Sequence, residues 1–166
     1  MDMMCADLAA RDIYVNSTYS LLMPESYVGL PFMDVDTPER ECEKKAVAAA
    51  TLERYAQFIK DRVKDECHIV RGRWPRVNSR FIGHVFVKHL VTDRPFHVKA
   101  DRCVGCGLCE KVCPTHTITI DDNAHPQWSH DGQCLSCFAF YHHCPHHAIE
   151  YGRRTRKKGQ YYYVEG

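Results

Sequence analysis

Residues 103–114 read Cys103-Val104-Gly105-Cys106-Gly107-Leu108-Cys109-Glu110-Lys111-Val112-Cys113-Pro114. Three cysteines at successive two-residue gaps, then a fourth before a proline, turn three thiolates toward one side of a tight loop and send the fourth away. Iron–sulfur cubes take ligands from a short loop with this spacing. Structural zinc usually takes two cysteine or histidine pairs separated by a longer loop, so the spacing points to iron and sulfide. Gly105 and Gly107 agree with this reading. Without side chains they let the loop close tightly over a cluster and turn backbone N–H groups toward its sulfurs.

The pattern returns 31 residues later, where Cys134, Cys137, Cys144 and Pro145 fall in register with Cys103, Cys106, Cys113 and Pro114. Phe140 stands where Cys109 predicts a thiolate. In two-cluster proteins the fourth cysteine of each run ligates the other cluster. Cys103, Cys106, Cys109 and Cys144 are therefore expected to hold one 4Fe-4S cluster. Cys113, Cys134 and Cys137 are expected to hold a second, with its fourth ligand missing at Phe140. Three thiolates suffice for a 3Fe-4S cluster, and a labile 4Fe-4S cube survives if a small ligand fills the corner; these are the favoured expectations for the second site. Two alternatives stand beside them. Either His142 or His143 donates a nitrogen, or the site is empty, with Phe140 in the core and the three thiols buried.

With 166 residues, 45% hydrophobic and 26% charged, the chain has room for one ordinary domain or two small ones. A net charge of +1 provides no broad field for nucleic acid or a membrane surface, so neither is an expected partner. The run Arg153, Arg154, Arg156, Lys157, Lys158 reads first as a solvated surface and second as a dock for an acidic redox partner. No apolar run approaches the roughly 18 residues of a membrane helix, and the first residues lack the character of a signal peptide. A cytoplasmic location is expected. Seven of the ten cysteines lie in the two runs, which in such a compartment indicates metal rather than disulfides, and Cys5, Cys42 and Cys67 read as isolated thiols.

Residues 1–10 read as the end of a helix and 13–22 as a strand. Thr37 can cap the clearest helix, with Pro38 in its first position and Ala48, Leu52, Tyr55, Ile59 and Val63 along one apolar face. One short helix is expected within 81–91. Short strands are expected near 96–99, 117–120, 126–128 and 148–151, and Trp128 is expected to pack on the small core and keep water from a cluster.

The stretch from Phe96 to Tyr163, with CVGCGLCEKVCPTHTI, PQW, HHCPHHAIEYG and TRKKGQYYY, resembles the C-terminal half of a bacterial family that fuses a flavodoxin-like domain to a two-cluster ferredoxin. YSLLMPESYVG and the long helix from Thr37 are similar to the last strand, Met-Pro loop and last helix of that flavodoxin half. The resemblance implies an α+β fold: a ferredoxin-like two-cluster (βαβ)2 domain preceded by a truncated flavodoxin-like α/β segment. Its boundaries would be 1–66 for the flavodoxin-like remnant, 67–98 for a connector, 99–152 for the ferredoxin domain and 153–166 for a basic, tyrosine-rich tail. Nothing before Ile13 supplies the family's phosphate loop, so no FMN-binding residues are expected.

The expected function is one-electron relay, by a carrier rather than an enzyme, with a redox protein or flavoprotein as partner and no catalytic residues. Its alternatives are a redox relay module of a flavin-dependent oxidoreductase and a structural iron–sulfur interaction domain. Exposed cubes suit an anaerobic cytoplasm.

Overall fold

The computed structural model describes residues 2–72 and 74–163. It divides the chain into two units, Met1–Pro24 with Pro38–Pro75 and Glu25–Thr37 with Arg76–Gly166.

The first unit contains α1 (Asp2–Ala9), β1 (Thr18–Tyr19), α2 (Pro38–Lys60) and β2 (Cys67–His68). β1 and β2 are parallel, Thr18 opposite Cys67 and Tyr19 opposite His68. Parallel neighbours need a long crossover, and α2 lies within it. The helix starts at the proline, whose fixed φ and missing N–H suit that position, and carries Glu39 and Glu41 in its first turn and Lys60 in its last. The Tyr55 ring lies 4.8 Å from Tyr19, and the Phe58 ring 5.6 Å from His68. The buried face is narrower than the periodicity suggests. Ala48 and Tyr55 are buried, but Leu52 and Ile59 are 55% and 63% exposed, because two strands of two residues cover only a strip of helix.

The strand expected over 13–22 is limited to Thr18–Tyr19, and β2 lies in what reads as connector. Ser17 ties the two segments together: its hydroxyl donates to the Val63 carbonyl at 3.1 Å and accepts from the Glu66 amide at 3.3 Å.

From Pro75 the chain is helical to His89, as α3 (Pro75–Val77), a π-helical stretch (Asn78–Ile82) and α4 (Gly83–His89). This is longer than the helix expected within 81–91, because Pro75 opens the helical segment, where its missing N–H costs little. Then follow β3 (Phe96–Val98), α5 (Leu108–Lys111), β4 (Ile118–Ile120), β5 (Pro126–Trp128), α6 (Ala139–His143) and β6 (Ile149–Tyr151). β3 pairs antiparallel with β6, Phe96 opposite Tyr151, and β4 with β5, Ile118 opposite Trp128. These strands lie where the sequence suggests.

The 31-residue interval also appears in the backbone. It maps α5 onto α6 and β4 onto β6. It also maps the left-handed residues Gly105 (φ 69°), Gly107 (φ 69°) and His116 (φ 52°) onto Ser136 (φ 49°), Phe138 (φ 60°) and His147 (φ 47°).

The basic run is not simply a solvated surface. Lys158 Nζ donates to the carbonyls of Val28 at 2.9 Å, Met33 at 2.6 Å and Leu30, while Arg154 donates to Gly29 O at 3.0 Å and lies over the Tyr151 ring. These cations satisfy carbonyls of a loop more than a hundred residues earlier. That loop, Glu25–Thr37, falls in the second unit rather than in the expected 1–66 remnant, and the second unit resumes at Arg76 within the expected 67–98 connector.

The same tail is anchored by a buried carboxylate. Glu150 accepts from Thr155 Oγ1 at 2.6 Å and from Arg102 Nη2 at 2.8 Å. Burial is the largest influence and pushes its carboxyl up, but the Thr155 and Arg102 hydrogen bonds and the Arg102 charge together outweigh it and hold the group below its ordinary value. A lowered carboxyl pKa stabilises the fold above the unfolded value, about 4.3, and that contribution is lost as pH falls through the folded value. Glu150→Gln is expected to cost about 1–3 kcal/mol at neutral pH and to reduce the loss of stability in acid. Urea denaturation of both proteins at about pH 7 and about pH 3 checks this; equal acid sensitivity would remove Glu150 from the explanation.

Candidate iron–sulfur centre

Cys103, Cys106, Cys109 and Cys144 line one small, partly open cavity. Cys103 and Cys106 sit on the loop after β3, Cys109 is the second residue of α5, and Cys144 caps the end of α6 in extended backbone. Cys144 therefore reaches the cavity from the other run. Gly105 lets the loop close: a Cβ there would lie 2.7 Å from Ala124 Cβ, and its φ of 69° disfavours any side chain. The cavity walls are apolar, formed among others by Ile120, Pro126, Ala148 and Ile149.

The Ala148 amide donates to Cys144 Sγ at 3.3 Å, and Gln160 Nε2 donates to the Cys144 carbonyl at 2.9 Å. Burial pushes the Cys109 thiol up to about 11; backbone N–H donors at Glu110 and Cys109 oppose this, and the neighbouring Cys103 and Cys106 add to it. Soft sulfur donors around an apolar cavity, with an N–H aimed at one sulfur, fit an iron–sulfur cluster. Gln160 and the Ala148 amide carried no recognisable sequence signal, since one is remote in the chain and the other is main chain.

The residues expected at the second site have different surroundings. Cys113 and Cys134 are buried in the hydrophobic core, together with Phe140, and Cys137 is exposed. Cys113 Sγ lies 3.4 Å from Thr117 Oγ1 and 3.7 Å from Thr115 Oγ1. Burial, the largest influence, raises its pKa, but the hydrogen bonds from Thr117 and Thr115 outweigh it and leave the thiol below its ordinary value. Burial raises that of Cys134, whose sulfur accepts the Ser136 amide at 3.4 Å.

His142 is not a free donor. Nε2 is 2.6 Å from the Ser26 carbonyl and Nδ1 accepts the Tyr161 amide at 3.1 Å, so the network assigns the Nε2–H tautomer and uses both nitrogens. His143 Nδ1 donates to the Ala139 carbonyl at 2.8 Å and its ring stacks on Tyr162. Trp128 packs on the core, stacked 6.1 Å from Phe96, but is not among the residues lining the cysteine cavity. Cys5, Cys42 and Cys67 are free thiols of the first unit. Among the described residues no helix is long and apolar enough to cross a membrane.

Residues 96–119, which contain the first cysteine run, match the family described as "4Fe-4S binding domain". A ferredoxin of Mycolicibacterium smegmatis is 40% identical over 45 residues, 27% of this chain and 42% of that protein. A ferredoxin of Streptomyces griseus is 40% identical over 36 residues, 22% of this chain and 34% of that protein. NADH-quinone oxidoreductase subunit I of Campylobacter jejuni is 30% identical over 93 residues, 48% of this chain and 44% of that protein. The chain thus spans less than half the length of these relatives. Taken with the cavity, the similarity marks residues 96–119 as a 4Fe-4S binding segment.

Proposed function

We propose that Cys103, Cys106, Cys109 and Cys144 ligate the cluster and that the chain is a one-electron carrier serving a redox protein or flavoprotein. The observation that carries this is the apolar cavity lined by all four cysteines. A cluster held by these four cysteines would supply reversible one-electron chemistry. Ile120, Pro126, Ala148 and Ile149 exclude water from the inner side. Cys106 is exposed and the neighbouring Val104 is 62% exposed, which leaves one edge open to a partner. The Ala148 N–H favours added negative charge on the Cys144 sulfur. A cytoplasmic, oxygen-poor setting suits an edge so exposed.

The first unit supports a finer reading. Parallel β1 and β2, with α2 within the crossover between them, form a βαβ-type unit, and Leu52 and Ile59 are left uncovered on the helix. We assign it to a flavodoxin-like α/β segment, as the resemblance implies.

Protein purified without oxygen is expected to be brown, with broad visible absorbance that dithionite bleaches by about one electron per chain and oxidation restores. A cluster that resists reduction would favour the structural role, and zinc in place of iron would end the proposal.

A further inference from the structure

The second cysteine run has the backbone of a cluster-binding loop but not its chemistry. Ser136 and Phe138 occupy the left-handed positions that Gly105 and Gly107 hold in the first run, although neither is glycine. Left-handed backbone costs a residue with a Cβ roughly 1 kcal/mol or more, so packing has to hold it there. Phe138 supplies that packing. Its side chain, which Gly107 lacks, is fully buried, with ring centroids 5.1 Å from Phe96, 5.1 Å from Tyr151 and 5.3 Å from Tyr27.

Phe140, at the position of Cys109, is 2% exposed and meets Phe96 edge-on at 4.6 Å. Loop Glu25–Thr37 covers this cluster of rings closely: a Cβ on Gly29 would lie 2.8 Å from Phe138 Cζ. The three remaining sulfurs do not share one environment. Cys113 and Cys134 belong to the aromatic core, Cys113 beside two threonine hydroxyls, while Cys137 is exposed to solvent.

We infer that the second run holds no cluster: Phe138 and Phe140 fill its site as an aromatic plug, and the protein carries a single electron on a single cluster. The donor set therefore does not fit the expected 3Fe-4S or labile 4Fe-4S centre, because Phe140 is buried where a thiolate is needed and Cys113 and Cys134 are packed in the same aromatic core. An electron enters and leaves through the same cluster, so the protein shuttles between partners instead of wiring two of them through a cluster pair. This rests on the cluster reading above for its expected iron count, but not for the state of Cys137.

Two measurements on the intact, oxygen-free holoprotein test it. Iron and sulfide are expected at about four each per chain, and Cys137→Ser, at an exposed position that folding tolerates, is expected to leave both counts and the visible spectrum unchanged. About seven or eight irons in the parent, or a fall in iron on Cys137→Ser, would overturn the inference. Maleimide labelling of the native protein, mapped by mass spectrometry, decides independently of iron content. Labelled Cys137 supports the plug and protected Cys137 overturns it, whereas absence of iron would sink the cluster assignment instead.

Discussion

Cys144→Ala is expected to strip the cluster from the protein, whereas Cys113→Ala, the matching position of the first run, is expected to keep it. Iron should fall from about four per chain to less than one in the first variant, with loss of the dithionite-bleachable absorbance, and should stay at about four in the second. The contrast follows from where the sulfurs sit. Cys144 lines the cavity with Cys103, Cys106 and Cys109, and the Ala148 amide and Gln160 hold it there from both sides. Cys113 is buried in the core beside Thr117 and Thr115 and does not line that cavity. Because cluster binding is coupled to folding, Cys144→Ala should also lower stability by several kcal/mol, as removal of metal does in other small metal-binding domains. Cys113→Ala should cost less, on the order of 1–2 kcal/mol, for one buried sulfur. The reverse result, with iron lost from Cys113→Ala and kept in Cys144→Ala, would show that the two runs do not exchange their fourth cysteines.

Phe138→Ala is expected to destabilise the second unit by about 3–5 kcal/mol, the usual range for deleting a buried phenyl ring. Phe138→Gly should be less harmful by about 1 kcal/mol, although glycine is ordinarily the worse replacement. The reversal arises because the φ of 60° at position 138 strains alanine and not glycine, while both variants lose the same contacts with Phe96, Tyr27 and Tyr151. Urea denaturation of the two variants beside the parent measures it. A glycine variant less stable than the alanine variant would mean that the backbone relaxes out of the left-handed region once the ring is gone.

The parts of the fold that could be read along the chain are those governed by neighbours. Pro38 with Glu39 and Glu41 marked the start of α2, and residues 126–128 marked β5, because helix starts and strand content depend on nearby residue types. The narrow buried face of α2 could not be read in this way. Leu52 and Ile59 have the right period for a buried face, but burial also requires something to cover them, and β1 and β2 are too short. Likewise Lys158 and Arg154 looked like part of a surface charge run, since nothing near them in sequence announces the carbonyls of Val28, Gly29 and Met33.

The cluster site divides along the same line. Thiolates at two-residue intervals reveal a cluster loop without reference to the rest of the molecule, because a short loop must wrap one cube, and the 31-residue repeat pointed to Cys144 as the ligand contributed from the other run. The fate of the second run depended on packing. Its cysteine spacing is compatible with a three-thiolate cluster, and a phenylalanine at position 140 leaves open whether the space around it is filled. The rings of Phe96 and Trp128 against Phe140, and that of Phe138 against Phe96, answer that through contacts between residues far apart in the chain.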